Sequence, residues 1–217
     1  MLRQIADSSG FYDRTLLQWK ELEQTQLIAA SVHPGSGRPG LSSRFVRHFQ
    51  IVNILKSGND VMLQIFGTIF KGFLETYEFR EAVKKIEEGL VLGTLNLYQW
   101  MMDTMVPTMY KPHYTFNLRD VSKVFQGILA CRPEKFNNPT IMTSLWVHEC
   151  ERVFCDRLVN QSDRKAFYEQ LMQNGVTHLG MRGEASELQE SHYIFGDFMN
   201  ETTRELEWLQ DIEKVKR

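Results

Sequence analysis

Two apolar runs, "TQLIAASV" at residues 25–32 and "HFQIVNIL" at 48–55, have strand length and lie between polar or Gly-rich breaks. Nothing after them reads as strand, and two strands cannot form an independently stable sheet. A helical pattern over 13–23 precedes the first run. Strands joined by connections and helices are the signature of an α/β unit. Residues 1–56 are therefore expected to be the C-terminal remnant of an α/β subdomain, holding about two strands. Such a remnant is expected to expose an apolar sheet face that invites aggregation or a partner.

After the cap-rich "KSGND" the chain reads mostly as helix. Helices are expected over 61–74 and over 78–105, the second weakened by Gly89 and Gly93. Another, over 117–131, carries Leu118, Val121, Val124, Phe125 and Ile128 on one face. "NNPT" supplies an N-cap and a proline at the first helical position. It opens a helix with Met142, Leu145, Trp146, Cys150, Val153, Phe154 and Leu158 at helical spacing. Ser162 and Asp163 start a further helix to about Asn174. Residues 175–196 read as a loop, and "NETTRELEWLQDIEKVKR" as a charged C-terminal helix. The fold class is an α/β remnant plus an all-α subdomain over 57–217.

The 217 residues are 42% hydrophobic and 24% charged, enough to bury a core and stay in solution. A net charge of −2, with no run of Lys and Arg, argues against a nucleic-acid partner. No segment approaches membrane-span length and the N-terminus lacks a signal-peptide core, so no membrane partner is expected. Three cysteines, Cys131, Cys150 and Cys155, have no framework spacing. Reduced thiols in the cytoplasm are the simplest reading.

In "HYTFNLRDVSKVFQG", Asn117 has the character of a helix N-cap and Asp120 completes a capping box. Arg119 lies between them, a cation in the first helical turn, where the macrodipole is already positive. Exposed charge is the ordinary fate of a surface arginine. Yet a helix start offers backbone N–H groups to an anion, and an arginine beside them can grip a phosphate with two donors. "HPGSGRPG" reads as a flexible turn and not as a phosphate cradle, because the Gly-Lys-Ser/Thr ending of a Walker A loop is missing. Arg44 and Arg47 in "SSRFVRHF" are either surface charges or arginines that complete a neighbouring subunit's phosphate site. In "HECERVFC", His148 and Cys150 diverge on a helix, while His148 and Cys155 share a face without further ligands. No metal site is expected. Hydrolase chemistry lacks a Gly-x-Ser-x-Gly elbow and a cysteine with a base signature.

Five stretches resemble, in order, the third AAA+ module of the dynein heavy-chain ring, most closely the axonemal type. They are "LRQIADSSGFYDR", "HPGSGRPGLSSRFVRHF", "VPTMYKPHYTFNLRDVSKVFQG", "WVHECERVFCDRLVNQSDRKAF" and "YIFGDFM". The resemblance covers nearly the whole chain. It implies a partial AAA+ module, with the end of the large subdomain over 1–56 and the helical lid with a C-terminal extension over 57–217. Arg119 would be the sensor II arginine, reaching from the lid toward nucleotide phosphates. Arg44 or Arg47 would be the arginine finger, acting on the adjacent module's nucleotide, and Val32 would stand at the sensor I position. ATP or ADP with Mg would be the cofactor of the complete module. The implied parent is an ATP-driven, minus-end-directed microtubule motor of the cilium axoneme, in the cytoplasm and cytoskeleton. Its partners would be the neighbouring AAA+ modules, intermediate and light chains, and microtubules reached through other parts.

The departures from that family pattern bear on activity. A valine at position 32 cannot orient an attacking water, His33 and Ser36 alter the Pro-Gly-rich loop, and Phe11 replaces a tryptophan. Walker A and Walker B motifs are absent, and Met1 falls where the family has an internal leucine. The chain is therefore expected to begin inside the module, as a fragment or a short product. Alone it is expected neither to hold a nucleotide nor to hydrolyse ATP; in the motor the module would regulate and transmit strain. The other reading is a helical protein-interaction module without a nucleotide role, in which Arg119 is an ordinary surface residue.

Overall fold

The computed structural model describes residues 2–31, 40–55, 57–182, 193–197 and 205–209. They form two compact units, Met1–Lys56 and Ser57–Arg217.

The smaller unit opens with α1 (Leu2–Ser8). Two strands follow, β1 (Gly10–Tyr12) and β2 (Trp19–Glu21), antiparallel with Gly10 opposite Glu21 and Tyr12 opposite Trp19. The helix expected over 13–23 is absent, and Asp13 is the reason. Its Oδ1 accepts from the Thr15 and Leu16 amides at 2.9 and 3.3 Å, and its Oδ2 meets Lys20 Nζ at 2.8 Å. Such a side chain offers the backbone an alternative to helical hydrogen bonds. Tyr12 and Trp19 then pack edge to face at 5.0 Å across the strand pair. The Lys20 hydrogen bond, helped by the two amides, lowers the Asp13 carboxyl to about 2.

The strands expected at 25–32 and 48–55 are also absent: residues 25–30 and 48–55 belong to no strand ladder among the described residues. Ile28, Ile51, Val52, Ile54 and Leu55 are exposed. Apolar, strand-length sequence becomes a strand only when a neighbour accepts and donates along its edge. The short α2 (Ser43–Val46) lies between the two runs. Val32, at the expected sensor I position, and the glycine-rich sequence through residue 39 lie outside the described residues.

The larger unit is helical. It contains α3 (Asn59–Thr76), α4 (Glu81–Lys84), α5 (Glu87–Thr104), α6 (Leu118–Ile128), α7 (Pro133–Phe136) and α8 (Pro139–Cys150). A π-helical turn, Glu151–Cys155, extends α8, and α9 (Gln161–Leu179) follows. The helix expected over 78–105 breaks at Lys85 and Ile86, not at its glycines. Those glycines are points of close approach. A Cβ on Gly89 would lie 2.3 Å from the His178 carbonyl oxygen, and one on Gly93 would lie 3.2 Å from the Trp146 ring. Trp146 is fully buried, and its Nε1 donates to Thr94 Oγ1 at 2.8 Å. Thr94 in turn donates to the Leu90 carbonyl at 2.7 Å, so the core indole keeps its polar atom satisfied. Asn138 caps α8 as expected, its side chain accepting from the Thr140 amide, with Pro139 at the first turn.

Helix α9 runs past the expected end at Asn174. It stops where Gly180 turns left-handed at φ 64° and the Met181 amide reaches back to the Gly175 carbonyl at 3.1 Å. The expected loop therefore begins only after α9. Two short strands, β3 (Phe195–Gly196) and β4 (Glu207–Trp208), pair antiparallel, so Glu207 and Trp208 are not in the expected C-terminal helix. Trp208 stacks on Phe195 at 6.0 Å, and Lys135 bridges Glu205 and Glu207. These contacts outweigh the local helical pattern of the segment. Residues 198–204 and 210–217 lie outside the described residues. The described residues are mostly helical with two small two-stranded sheets, one in each unit, as fits a partial AAA+ module with a helical lid, although the strands are not those the sequence suggested.

Candidate functional site

Helix α6 begins at the capping box that the sequence predicts. Asn117 Oδ1 accepts from the Arg119 amide at 2.9 Å, and Asp120 Oδ2 accepts from the Asn117 amide at 3.0 Å. Val121, Val124, Phe125 and Ile128 are buried, whereas Leu118 is 38% exposed and lies off the core face. The Arg119 side chain is exposed and makes no ion pair among the described residues.

Asp120 is buried, at 4% exposure, and it links two stretches far apart in sequence. Its Oδ1 accepts from Arg157 Nη2 at 2.9 Å, and Lys123 Nζ stands 3.7 Å away. Arg157 also donates to the Thr115 carbonyl at 3.2 Å and lies 5.0 Å over the Phe116 ring. A second anchor precedes this one. The Tyr114 hydroxyl donates to Asp163 Oδ2 at 2.8 Å and accepts from the Val159 amide at 3.0 Å, while Lys111 Nζ meets the same carboxylate oxygen at 2.5 Å. Burial pushes the Asp163 carboxyl up, but the Lys111 and Tyr114 hydrogen bonds outweigh it and the net shift is down.

These contacts change the electrostatic account of Arg119. The anion that a helix start prefers is supplied from within, by the Asp120 carboxylate in the first turn. The Arg119 amide is also already spent on Asn117, so this helix start does not hold the open set of N–H groups that the sequence suggested. What faces outward is the guanidinium.

Arg44 and Arg47 belong to the smaller unit, and their situations differ. Arg47 Nη2 donates to Asp7 Oδ1 at 3.0 Å, and His48 Nε2 lies 2.6 Å from the same oxygen. The Arg47 hydrogen bond, with His48 adding to it and burial opposing, holds the Asp7 carboxyl below its usual value. Arg44 makes no ion pair among the described residues and borders a shallow cleft of about 530 Å³ with Arg3, Gln4, Asp7 and Ser8.

His148 and the cysteines are packing residues. His148 Nδ1 lies 2.7 Å from the Tyr193 carbonyl oxygen, with its ring against Phe195, and burial favours the neutral imidazole. All three cysteines are free and buried. Burial raises the Cys131 thiol to about 12 and the Cys155 thiol to about 11, and pushes Cys150 well above the usual value. Protonated thiols neither attack nor ligate. Among the described residues no group of three or more His, Cys, Asp or Glu side chains could hold a metal, and no helix is long and apolar enough to cross a membrane.

The pairing of Asp120 with Arg157 escaped the sequence reading, which saw Asp120 only as a cap. The available signal was an acid and a base, each beside a helix-boundary pattern, in "NLRD" and "CDRL".

The sequence model of the AAA+ lid domain matches residues 90–179, which take in most of α5 and all of α6 to α9. The model described as the P-loop containing dynein motor region matches residues 1–57, although no Walker A sequence occurs there. The chain is 38% identical to human dynein axonemal heavy chain 6 over 99% of its own length and 5% of the relative's. It is 36% identical to rat dynein axonemal heavy chain 12 over 92% of its length and 7% of the relative's. Against mouse dynein axonemal heavy chain 2 it is 36% identical, over 93% and 4% respectively. The chain belongs to the dynein heavy-chain family, with axonemal heavy chains among its relatives. It spans only 4% to 7% of the length of these relatives.

Proposed function

We propose that the chain is a segment of the third AAA+ module of an axonemal dynein heavy chain, comprising the end of the large subdomain and the lid. The parent is an ATP-driven, minus-end-directed microtubule motor of the cilium axoneme, working with the neighbouring AAA+ modules and with intermediate and light chains. Within it, Arg119 is the sensor II residue that contacts the phosphates of ATP or ADP, whose Mg is held by the complete module. The observation that carries this reading is an exposed guanidinium, unpaired among the described residues, on a helix start whose own charges are already satisfied. Arg44 fits the arginine finger, since it carries no partner carboxylate among the described residues, while Asp7 holds Arg47 as a support beside it. Val32 at the sensor I position favours a site that binds nucleotide and turns it over slowly, as a regulatory module would.

The test uses the heavy-chain motor that contains this segment. Arg119→Ala is expected to weaken binding of a fluorescent ADP analogue at one module by at least about tenfold, the scale on which a charge-assisted phosphate contact acts. Unchanged binding at every module would instead favour the interaction-module reading. The isolated 217-residue chain, without Walker motifs, is expected to release no phosphate above blank.

A further inference from the structure

We infer that Arg157 is the positioning residue for Arg119, acting through Asp120 and Asn117; the inference rests on the sensor II reading above. Three contacts form one relay: Arg157 Nη2 donates to Asp120 Oδ1 at 2.9 Å, the Asn117 amide donates to Asp120 Oδ2 at 3.0 Å, and the Arg119 amide donates to Asn117 Oδ1 at 2.9 Å. Asp120 thus uses one oxygen for the brace and the other for the cap. Arg157 grips the incoming chain as well, through the Thr115 carbonyl at 3.2 Å and the Phe116 ring at 5.0 Å. Both sides of Arg119, residues 115–116 and residue 120, are therefore fixed by one planar guanidinium. Its fork of donors and its stacking face do what an ammonium could not do together.

The backbone that presents Arg157 is itself unusual. The Asp156 amide donates to the Glu151 carbonyl at 3.0 Å, closing the π-helical turn that ends α8 immediately before Arg157. The extra residue in that turn changes the direction of everything after it relative to a regular α-helix, and such turns recur at functional sites. The His113 ring, with Nε2 3.0 Å from the Arg157 carbonyl oxygen, ties this backbone back to the same loop. The π-turn places the brace, and the brace places the sensor.

Arg157 is not itself a phosphate contact in this account, and that distinction is measurable in the heavy-chain motor by titration with the fluorescent ADP analogue. Arg157→Gln is expected to weaken the site that Arg119→Ala identifies by about tenfold, a loss typical of a misplaced binding group. Arg157→Lys, which keeps the charge and loses the fork, should recover part of it. In an Arg119→Ala background, Arg157→Gln should have no further effect on affinity, because the residue it positions is gone. A merely structural role would lower the melting temperature without this dependence on Arg119. Three results overturn the proposal: wild-type affinity in Arg157→Gln while Arg119→Ala loses it, equal weakening in both backgrounds, or full affinity in Arg157→Lys should Arg157→Gln fail to fold. If Arg119→Ala itself changes nothing, the sensor reading falls first and the positioning role with it.

Discussion

The two units treat apolar residues in opposite ways. In Ser57–Arg217, Phe70, Leu74, Leu97, Met101 and Trp146 are all fully buried. In Met1–Lys56, Ile28 is 90% exposed and Ile54 88%. Composition does not separate them; the reach of the hydrogen bonds does. A helix satisfies its backbone within four residues and needs a neighbour only for its apolar face. A strand-like run needs a neighbour for its backbone before its side chains can be covered at all. The helical unit therefore closes a core from its own residues, and the smaller unit leaves its two longest apolar runs outside.

The largest test of that contrast is the centre of the helical unit. Trp146→Ala removes the buried indole, its contact with Gly93 and its hydrogen bond to Thr94. It is expected to cost about 3–5 kcal/mol in denaturant-induced unfolding followed by circular dichroism at 222 nm. A loss under about 1 kcal/mol would mean that the core does not carry this unit's stability.

The next test sets the pH responses of the two units against each other. Burial raises the Glu151 carboxyl from 4.5 to about 7, with the Tyr168 hydrogen bond opposing and Asp156 adding repulsion. Its Oε1 is buried without a partner among the described residues. Between these two values the folded state holds a proton that the unfolded state has lost. This contribution is complete below about pH 4.5 and disappears as pH rises through 7. Glu151→Gln should therefore stabilise the helical unit at pH 8 by up to about 3 kcal/mol and leave it unchanged near pH 4. Asp13 in the smaller unit has the opposite sign: its stabilisation is present above pH 3.8 and fades as pH falls toward 2. Chemical denaturation at both pH values, with and without Glu151→Gln, checks the direction.

The contrast also explains what the sequence could reveal. The starts of α6 and α8 were legible at Asn117 and Asn138 because a cap is a local code, written within four residues. So was the face of Val121, Val124, Phe125 and Ile128. The hairpin of β1 and β2 was missed because residues 13–23 also carry a helical apolar period. Only the competition won by Asp13, together with Tyr12 meeting Trp19, decides between them. Gly89 and Gly93 look like helix weaknesses until the backbone of His178 and the ring of Trp146 are placed beside them. At the site, Arg119 was legible as an anomaly of charge. Its brace was not, because Asp120 and Arg157 meet only after α8, its π-turn and the loop before α6 have been folded together.

Gly127 gives a middle-sized test of close packing in the helical unit. A Cβ there would stand 2.0 Å from Glu149 Oε2, a carboxylate already fixed by Arg152 Nε at 2.9 Å. Gly127→Ala is expected to cost about 1–3 kcal/mol even though alanine is the better helix former. Gly72→Ala on α3, with nothing within 4 Å of its Cβ position, should gain up to about 1 kcal/mol in the same unfolding assay. If both substitutions stabilise, Glu149 can move and the packing is looser than its burial implies.

The smallest effect is expected where the exposed run lies. Ile54→Ser changes an apolar side chain that is 88% exposed and touches no core. The unfolding free energy should move by no more than about 0.5 kcal/mol, the usual range for a surface position. The response belongs to self-association instead. Ile51, Val52, Ile54 and Leu55 form a short exposed apolar stretch outside any strand ladder among the described residues, a ready template for pairing between copies. Light scattering at increasing protein concentration should show less assembly for Ile54→Ser than for the parent chain, with the helical unit melting unchanged. A large drop in the melting temperature would mean that the run is part of a core after all, and the division between a closed unit and an open one would have to be redrawn.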